Sequence, residues 1–426
     1  MELPDGFEFC TAKTEQDLED LLEFNSKVHE DDPKELRRVI KNLPGFGLDM
    51  NYFIRDVDKG MIVSAMNAIP STWAYEGVPL RNLELGWVGT LKEYRKRGLV
   101  RSLYSHFDIL LRDGKYDISV IQGIPHYYRQ FGYEFILPLG RRVTLGPHLI
   151  PKISEGTEAP FMKLSVREAA ESDLDKLIRL YDNHNQRLLV YSMRSRELWE
   201  IQERFKKEFE SDFTTMVVEE EGRVDGYFRY SLSKGAKDEP QDRVLHVSES
   251  SVTSYNGVMR VLHHLRQEAL QSQACRIELV GPDQNNLCRM AQDLGGKALA
   301  WWKFQIRIPD IVSLLKKISR VLEKRLKGTM FHGLTYDVML NTHRNCYLLR
   351  FKNGKITKVQ DLGMQETGDR REFRAPPNEL AKLILGDYSI DELNRANIDF
   401  LVDGRIRSLI QTLFPKRESC IAYYMC

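Results

Sequence analysis

Four cationic residues fall within seven positions, Arg95-Lys96-Arg97-Gly98-Leu99-Val100-Arg101, at the point where one kind of periodicity gives way to another. Upstream, Leu83 to Leu91 alternates as a half-buried strand does, with Glu84, Gly86, Val88 and Thr90 on one face. Downstream, Leu99, Val100, Leu103, Tyr104, Phe107, Leu110 and Leu111 recur at helical spacing. A strand that feeds a basic, glycine-containing turn and then a helix is suited to binding an anion. The first-turn N–H groups lack intrahelical partners, and the helix dipole places about half a positive charge beside them. The run is short, the net charge of the chain is only +1, and no aromatic-and-basic repeat follows that would track a polynucleotide. The guest this predicts is a small molecule bearing a pyrophosphate, with neither nucleic acid nor membrane as partner.

The elements that must position this turn can be read along the chain. At 426 residues, 42% hydrophobic and 29% charged, the sequence has the length of two to three soluble domains. No run approaches the roughly 18 apolar residues a membrane span requires, and Met1-Glu2-Leu3-Pro4-Asp5-Gly6 has no secretory character. Six scattered cysteines without a Cys-x-x-Cys suit free thiols in a reducing compartment. The expectation is a cytoplasmic protein with no metal. Thr14 and Asp17 have the shape of a capping box ahead of an amphipathic helix carrying Leu18, Leu21 and Leu22. Strands are predicted over Tyr52–Val57, Met61–Ile69 and Tyr116–Gln122, which implies a mixed α/β sheet.

The opening then repeats. Cys10 to Leu22 aligns with Val166 to Ile178 at a constant offset of 156 residues, Asp17-Leu18 falling on Asp173-Leu174. Strands over Thr214–Glu219, Arg223–Leu232 and Arg243–Thr253, a helix from about Asn256 to Leu270 and a strand over Arg276–Val280 reproduce the order of the first half. The second copy has Ser251-Val252-Thr253-Ser254-Tyr255-Asn256-Gly257 in place of the basic turn, so it is read as structural. From Ile308 the pattern changes: a stripe of Ile311, Leu314, Leu315, Ile318, Val321, Leu322 and Leu326 predicts one helix, and Asn353-Gly354 a hairpin turn. Three domains follow, 1–150, 151–307 and 308–426, with the first boundary in the stretch from Pro138 to Pro160.

The segment from Val88 to Arg101 resembles the acetyl-CoA loop of GNAT-type N-acetyltransferases, with Arg95 and Gly98 on the family pattern and Val100 where a small residue is usual. The form Arg-x-Arg-Gly-Leu-x-Arg, the duplication and the third domain resemble the enhanced-intracellular-survival (Eis-type) branch. That branch has two tandem GNAT folds, the second degenerate, followed by a small sterol-carrier-like α/β domain. The resemblance implies acetyl-CoA as co-substrate, held along Trp87, Val88 and Thr90 and by Arg95, Lys96, Arg97, Gly98, Leu99, Val100 and Arg101.

It also implies how the acetyl group is transferred. Pro125-His126-Tyr127-Tyr128-Arg129-Gln130-Phe131-Gly132-Tyr133 resembles the family's Tyr-x-x-Phe-Gly-Tyr segment and places the general acid at Tyr128, with His126 a weaker second. A phenol of ordinary pKa near 10 suits protonation of a departing thiolate. The base implied by the branch is the terminal carboxylate, carried here by Cys426 where the family often has a bulky residue; Glu84 is the alternative. The acceptor is a primary amine, an aminoglycoside, a polyamine or a lysine side chain, in a large cavity lined by acidic residues. Glu23, Glu30, Asp31 and Asp32 are candidates for that lining. A homo-oligomer, often a hexamer, is the implied assembly. The reading of a different class is a non-catalytic carrier or sensor of acyl-CoA or lipid, built on the third domain.

Overall fold

A computed structural model of the chain describes residues 3–30, 32–153, 159–206, 212–233, 243–299, 302–365 and 373–422. The first unit runs β1 (Phe7–Thr11), α1 (Glu15–His29), α2 (Pro33–Asn42), β2 (Asn51–Asp56), β3 (Met61–Tyr75), β4 (Val78–Thr90), α3 (Leu99–Asp113), β5 (Ile118–Ile121) and β6 (Glu134–Pro138). α1 begins at the capping box expected: the Thr14 hydroxyl accepts from Asp17 N–H at 3.1 Å, and the Asp17 carboxylate accepts from Thr14 N–H at 2.9 Å. Its buried residues include Leu18, Leu21 and Leu22, the predicted stripe. β3 and β4 form a long hairpin closed by Glu76-Gly77, both with positive φ (46° and 82°), the turn chemistry that matches strand twist.

The second unit runs β7 (Arg141–Leu145), β8 (Ser165–Glu168), α4 (Leu174–Asn185), β9 (Val190–Ser192), α5 (Arg196–Phe205), β10 (Phe213–Glu220), β11 (Arg223–Ser233), β12 (Val244–Ser250), α6 (Tyr255–Gln271), β13 (Arg276–Gly281), α7 (Asn286–Asp293), β14 (Lys297–Leu299) and β15 (Lys303–Arg307). The first sheet has the order β1-β2-β3-β4-β5-β15-β6 with β9 attached to β3, and the second has the order β14-β7-β13-β12-β11-β10-β8. The two sheets therefore exchange strands across the expected divisions: β7 falls within 1–150 yet lies in the second sheet, while β15 falls within 151–307 yet lies in the first. Lys303–Arg307 suits a strand paired on both sides. Phe304 and Ile306 are buried on one face, and Gln305, 1% exposed, on the other.

The two units also share a finer feature. In each, an antiparallel strand pair is followed by a parallel one, β4 on β5 and β12 on β13. The parallel ladders end early, at Glu84 opposite Val120 and at Val247 opposite Leu279, so both sheets splay beyond those pairs. Each splayed strand carries a bulge at that level, at Trp87–Val88 opposite Met66 and at Ser248 between the pairs Val247–Tyr230 and Glu249–Arg229. The fold is a mixed α/β arrangement of two tandem units with the same succession of elements.

The remaining elements are α8 (Ile311–Lys317), α9 (Ser319–Leu326), β16 (Tyr336–Asn341), β17 (Cys346–Lys352), β18 (Lys355–Asp361), β19 (Phe373–Arg374), α10 (Pro377–Ile384), α11 (Ile390–Ala396), β20 (Leu401–Val402) and α12 (Gly404–Leu413). The stripe expected to form one helix forms two, broken at Ile318 (φ −89°, ψ 5°), yet its residues from Leu314 to Leu326 stay buried across the break. Among the described residues, the buried apolar side chains of this third unit are continuous with those of the first sheet. One cluster contains Trp73, Tyr75, Val120, Phe304 and Ile306 of the first sheet together with Leu322, Leu349, Phe373, Leu383 and Phe414. Tyr75 Oη donates to the Ile384 carbonyl at 2.9 Å, and Arg325 pairs with Glu76 at 2.6 Å. The chain then returns to the middle of the molecule alongside β9. Leu189 N–H donates to the Glu418 carbonyl (2.7 Å), Cys420 N–H to the Val190 carbonyl (3.0 Å) and Ala422 N–H to the Ser192 hydroxyl (3.0 Å). Among the described residues no helix is long and apolar enough to cross a membrane.

Candidate active site

The bulge in β4 determines the geometry of the first splay. Trp87 adopts φ +40° and inserts one extra residue against β3, which resets the alternation of the strand. Gly86 and Gly89 both face the Ile69 and α1 side, where a Cβ would meet Ile69 or Val28, whereas Val88 packs into the cluster under α3. The single face expected for Glu84, Gly86, Val88 and Thr90 is thus split. Glu84 and Gly86 look one way and Val88 the other. The Trp87 side chain packs against the Leu18–Leu36–Ile69 cluster, so only its backbone shapes the splay.

A cleft of about 660 Å³ opens at this splay. Its walls include Val88, Gly89 and Thr90 from β4, the whole turn from Arg95 to Arg101, His29 from the end of α1, and Tyr127, Tyr128 and Gln130. Gly98 takes φ +81°, a left-handed conformation in which a side chain is strained, and as the residue capping α3 it brings no side-chain acceptor to the first-turn N–H groups. The corresponding helix of the second unit, α6, is capped by its own Ser254, whose hydroxyl accepts from Gly257 N–H at 3.1 Å. One helix end is left open to an anion and the other is closed. The Arg95 Nε donates to the Thr90 carbonyl (3.3 Å) and Arg101 to Gln130 Oε1 (3.1 Å), while the Arg97 guanidinium lies 5.1 Å from the centre of the Tyr94 ring. Among the described residues none of Arg95, Lys96, Arg97 and Arg101 has a carboxylate partner, so their charge is available to a polyanionic guest. The cleft fits acetyl-CoA in kind: a free strand edge for an amide-bearing arm, an uncapped helix end and cations for phosphates.

Tyr128 stands at the inner end, on a helical turn from Tyr127 to Phe131 that starts from His126 in a strained conformation (φ 67°, ψ −35°). Its ring packs edge-on to Tyr127 (5.1 Å between centres) and Tyr133 (6.3 Å), and against Gly123. Burial pushes the phenol well above its ordinary pKa, and the neighbouring Tyr127 adds to this. Among the described residues the hydroxyl takes no hydrogen bond. His126 is exposed and outside the cleft wall.

Two residues from β15, 180 positions away, hold this turn, and sequence reading did not single them out. Gln305 Nε2 donates to the Gly123 carbonyl (2.8 Å) and the Ile124 carbonyl (3.2 Å). Arg307 donates to Tyr104 Oη (2.5 Å) and pairs with Asp108 (2.6 Å), and Tyr104 Oη donates to the Phe131 carbonyl (3.1 Å). The alternation of Lys303–Arg307 was the only available signal, and it indicates a strand without indicating its sheet.

Glu84 lies on the opposite side of the sheet from Val88, 6% exposed, with its carboxyl pushed up to about 8 by burial alone. It borders a small void shared with Trp73, Arg194, Phe304, Ile421 and Ala422. Ile421 and Ala422 also border a cavity of about 240 Å³ in the second splay, lined by Ser248 to Ser250 of β12 and the following Ser251, by Val280 and Gly281 of β13, and by Gln122 just after β5. Cys426 lies outside the described residues, as does Asp31. Glu23 and Glu30 are exposed, Glu23 pairing with Lys27 at 2.5 Å, and Asp32 is exposed as the cap of α2. The acidic lining expected from these residues is therefore absent among those described: helix capping and surface pairing already use them.

Residues 11–136 match the family model of the acetyltransferase (GNAT) domain. Among solved structures the chain is similar to a GCN5-related N-acetyltransferase from Anabaena variabilis ATCC 29413, at 14% identity over 98% of this chain and 99% of that one, with a TM-score of 0.72. It is similar to Eis1 from Mycobacterium abscessus at 14% identity, again over 98% and 99%, with a TM-score of 0.65. Yeast (Saccharomyces cerevisiae) N-myristoyltransferase with bound myristoyl-CoA aligns at 13% identity over 72% of this chain and 79% of that one, with a TM-score of 0.51. A comparison with curated protein sequences finds no match. The chain carries a GNAT acetyltransferase domain, and at these identities the structural likeness speaks for the fold.

Proposed function

We propose that the protein is an acetyl-CoA-dependent N-acetyltransferase of the Eis-type branch, acting on a primary amine by direct attack on the thioester. The observation that carries this reading is the cleft in which the bulged β4 edge, the uncapped end of α3, unpaired cations and the Tyr128 hydroxyl converge. Arg95, Lys96 and Arg101 with the first-turn amides hold the phosphates, and Val88 and Thr90 offer backbone groups to the pantetheine arm. Tyr128 gives its proton to the departing thiolate. The amine enters from the Glu84 side. Glu84 is the proposed proton acceptor, since a carboxyl near pKa 8 is poised close to neutral pH and an arriving ammonium favours its ionised form. The carboxylate of Cys426 is the second candidate. The sterol-carrier-like identity of residues 308–426, a homo-oligomer and a cytoplasmic setting belong to the same reading. The carrier alternative is disfavoured because the apolar faces of the third unit are spent on a core shared with the first sheet.

The test is thiol release from acetyl-CoA with a panel of amines, the wild type run beside Tyr128→Phe and a variant extended by one residue after Cys426. Turnover that falls at least 100-fold in Tyr128→Phe, with acetyl-CoA affinity unchanged, supports the reading. Loss in the extended variant moves the base from Glu84 to the terminal carboxylate. Absence of turnover with every amine would overturn the enzyme.

A further inference from the structure

Charge is distributed unevenly along the chain. From Ile311 to Gln360 eleven lysines and arginines stand against two carboxylates, Glu323 and Asp337, a net +9. The whole chain sums to +1, so the remaining residues carry −8. Carrying the count on to Glu372 still leaves +7.

The fold gathers the exposed members of this run on one side of the third unit. α9 buries Val321, Leu322 and Leu326 in the shared core and turns Arg320 and Lys324, four residues apart, to solvent, with Lys327 exposed directly after it. In the β17–β18 hairpin Phe351 and Val359 face the same core, while Lys352 stands opposite Lys355 and Arg350 opposite Lys358 on the exposed face. Like charges directly across a ladder are destabilising, so fold stability does not account for this pairing. The two carboxylates of the run are already engaged. Glu323 pairs with Lys355 (2.8 Å) and accepts from Ile356 N–H (2.9 Å), and Asp337 pairs with Arg350 (2.8 Å). Among the described residues Arg320, Lys324, Lys327, Lys352 and Lys358 have no carboxylate partner.

Glu323 ties α9 to the hairpin, and Gly354 N–H, donating to the Leu334 carbonyl at 2.8 Å, ties the hairpin to the segment that leaves α9. That segment presents Met330, 86% exposed, in the midst of the cations. The exposure is built in. Thr329 Oγ1 donates to the Leu326 carbonyl (2.8 Å) and accepts from Phe331 N–H (3.1 Å), while Phe331 packs against the shared core, so the residue between them is held outward.

Cations around an outward apolar side chain suit a surface that is anionic outside and apolar beneath, which describes a bilayer with acidic headgroups. A polynucleotide matches the charge but has no use for Met330. Five of the six exposed cations named from Arg320 to Lys358, apart from the paired Arg350, are lysines, point charges without the stacking and bidentate geometry that reads bases. We infer that this face of the third unit docks on an anionic lipid surface, with Arg320, Lys324, Lys327, Lys352 and Lys358 against the headgroups and Met330 entering the interface. The negative balance of the remaining residues orients the protein with this face inward. The inference is independent of the acetyltransferase reading and departs from the expectation of no membrane partner.

The experiment is co-sedimentation of the full-length protein with vesicles of phosphatidylcholine alone or with about 30% phosphatidylglycerol, at 50 and 500 mM NaCl. Binding is expected to the anionic vesicles at 50 mM, and at least about tenfold less at 500 mM or without phosphatidylglycerol. Lys327→Gln and Lys352→Gln should each lower the partition coefficient about fivefold and Met330→Ser about tenfold, all three with the wild-type melting temperature because the side chains are exposed. Absence of binding to the anionic vesicles, or binding that the three substitutions leave unmoved, would overturn the inference. Binding of a DNA duplex that both lysine variants lose, with no binding to vesicles, would assign the face to nucleic acid instead. Smaller species of these variants in sedimentation velocity, with vesicle binding unchanged, would assign it to a second copy of the chain.

Discussion

Gln305 donates both amide hydrogens into the loop that leads to Tyr128, to the Gly123 carbonyl at 2.8 Å and the Ile124 carbonyl at 3.2 Å. Its strand is inserted between β5 and β6, so the proposed acid is placed by a segment that follows the whole second unit. Gln305→Leu keeps the volume and removes both donors. The expectation is a kcat lowered about 10- to 100-fold, the range that misplacement by about 1 Å produces, with the KM for acetyl-CoA within about twofold. Gln305→Glu refines the test: a carboxyl facing two carbonyl oxygens can donate only when protonated, so its kcat relative to wild type should rise as pH falls. Equal losses in kcat and in acetyl-CoA affinity, without pH dependence, would mark Gln305 as a general structural residue.

Gly123 supplies the other half of that placement. A Cβ there would come to 2.3 Å from two ring carbons of Tyr128, and its conformation imposes no backbone strain that would confuse the outcome. Gly123→Ala should therefore displace the ring and approach Tyr128→Phe in its loss of turnover, while the melting temperature drops by only a few degrees. Steady-state kinetics beside a thermal melt decide it. Retained turnover would show that the ring position is not used.

What could be read in the sequence and what could not divide by range. The capping box at Thr14, the stripe of α3 and the turn at Gly98 depend on residues within one or two turns of each other, and each takes the expected form. The duplication was legible because paired motifs keep their spacing. The bulge at Trp87 was not, because a strand written as regular alternation does not reveal which position opposes no partner, and one extra residue reversed the face of Val88 relative to Glu84. Strand exchange was not legible either. β7 and β15 alternate like any buried strand, and only the assembled sheets decide which ladder each completes. The acidic lining was misread for a simpler reason: composition cannot distinguish a carboxylate that caps a helix from one that faces a cavity.

The basic turn makes a prediction about salt. Arg95 and Lys96 are exposed and without carboxylate partners among the described residues, so their contribution to acetyl-CoA binding is screened over a Debye length of about 10 Å at 0.1 M salt. Arg95→Ala should weaken binding about tenfold at low salt and less at 500 mM, as charge-assisted contacts to phosphate are lost. Gly98→Ala should weaken it at every salt concentration, because its φ of +81° strains a side chain by about 1–2 kcal/mol and tilts the end of α3. Titration calorimetry at two salt concentrations separates the two. A salt-independent Arg95→Ala would remove the electrostatic account of the turn.

Glu84 makes a prediction about pH. Its folded pKa is raised by burial to about 8, against an ordinary glutamate value of about 4.3 in the unfolded chain. Between these values the folded state binds more protons than the unfolded one, so stability is fully present below about pH 4.3 and is lost as pH rises toward 8. The carboxyl is 6% exposed, so little solvent screening reduces the effect, which is on the order of a few kcal/mol. Glu84→Gln cannot ionise. It should melt close to wild type near pH 5 and above it near pH 9. If Glu84 is also the base, wild type should show a rise in kcat/KM between pH 6 and 8 that the same variant lacks, so one substitution raises stability and lowers activity at alkaline pH. A variant that gains stability at pH 9 but keeps the wild-type pH–rate profile would confirm the buried carboxyl and assign proton removal elsewhere, with the carboxylate of Cys426 next in line.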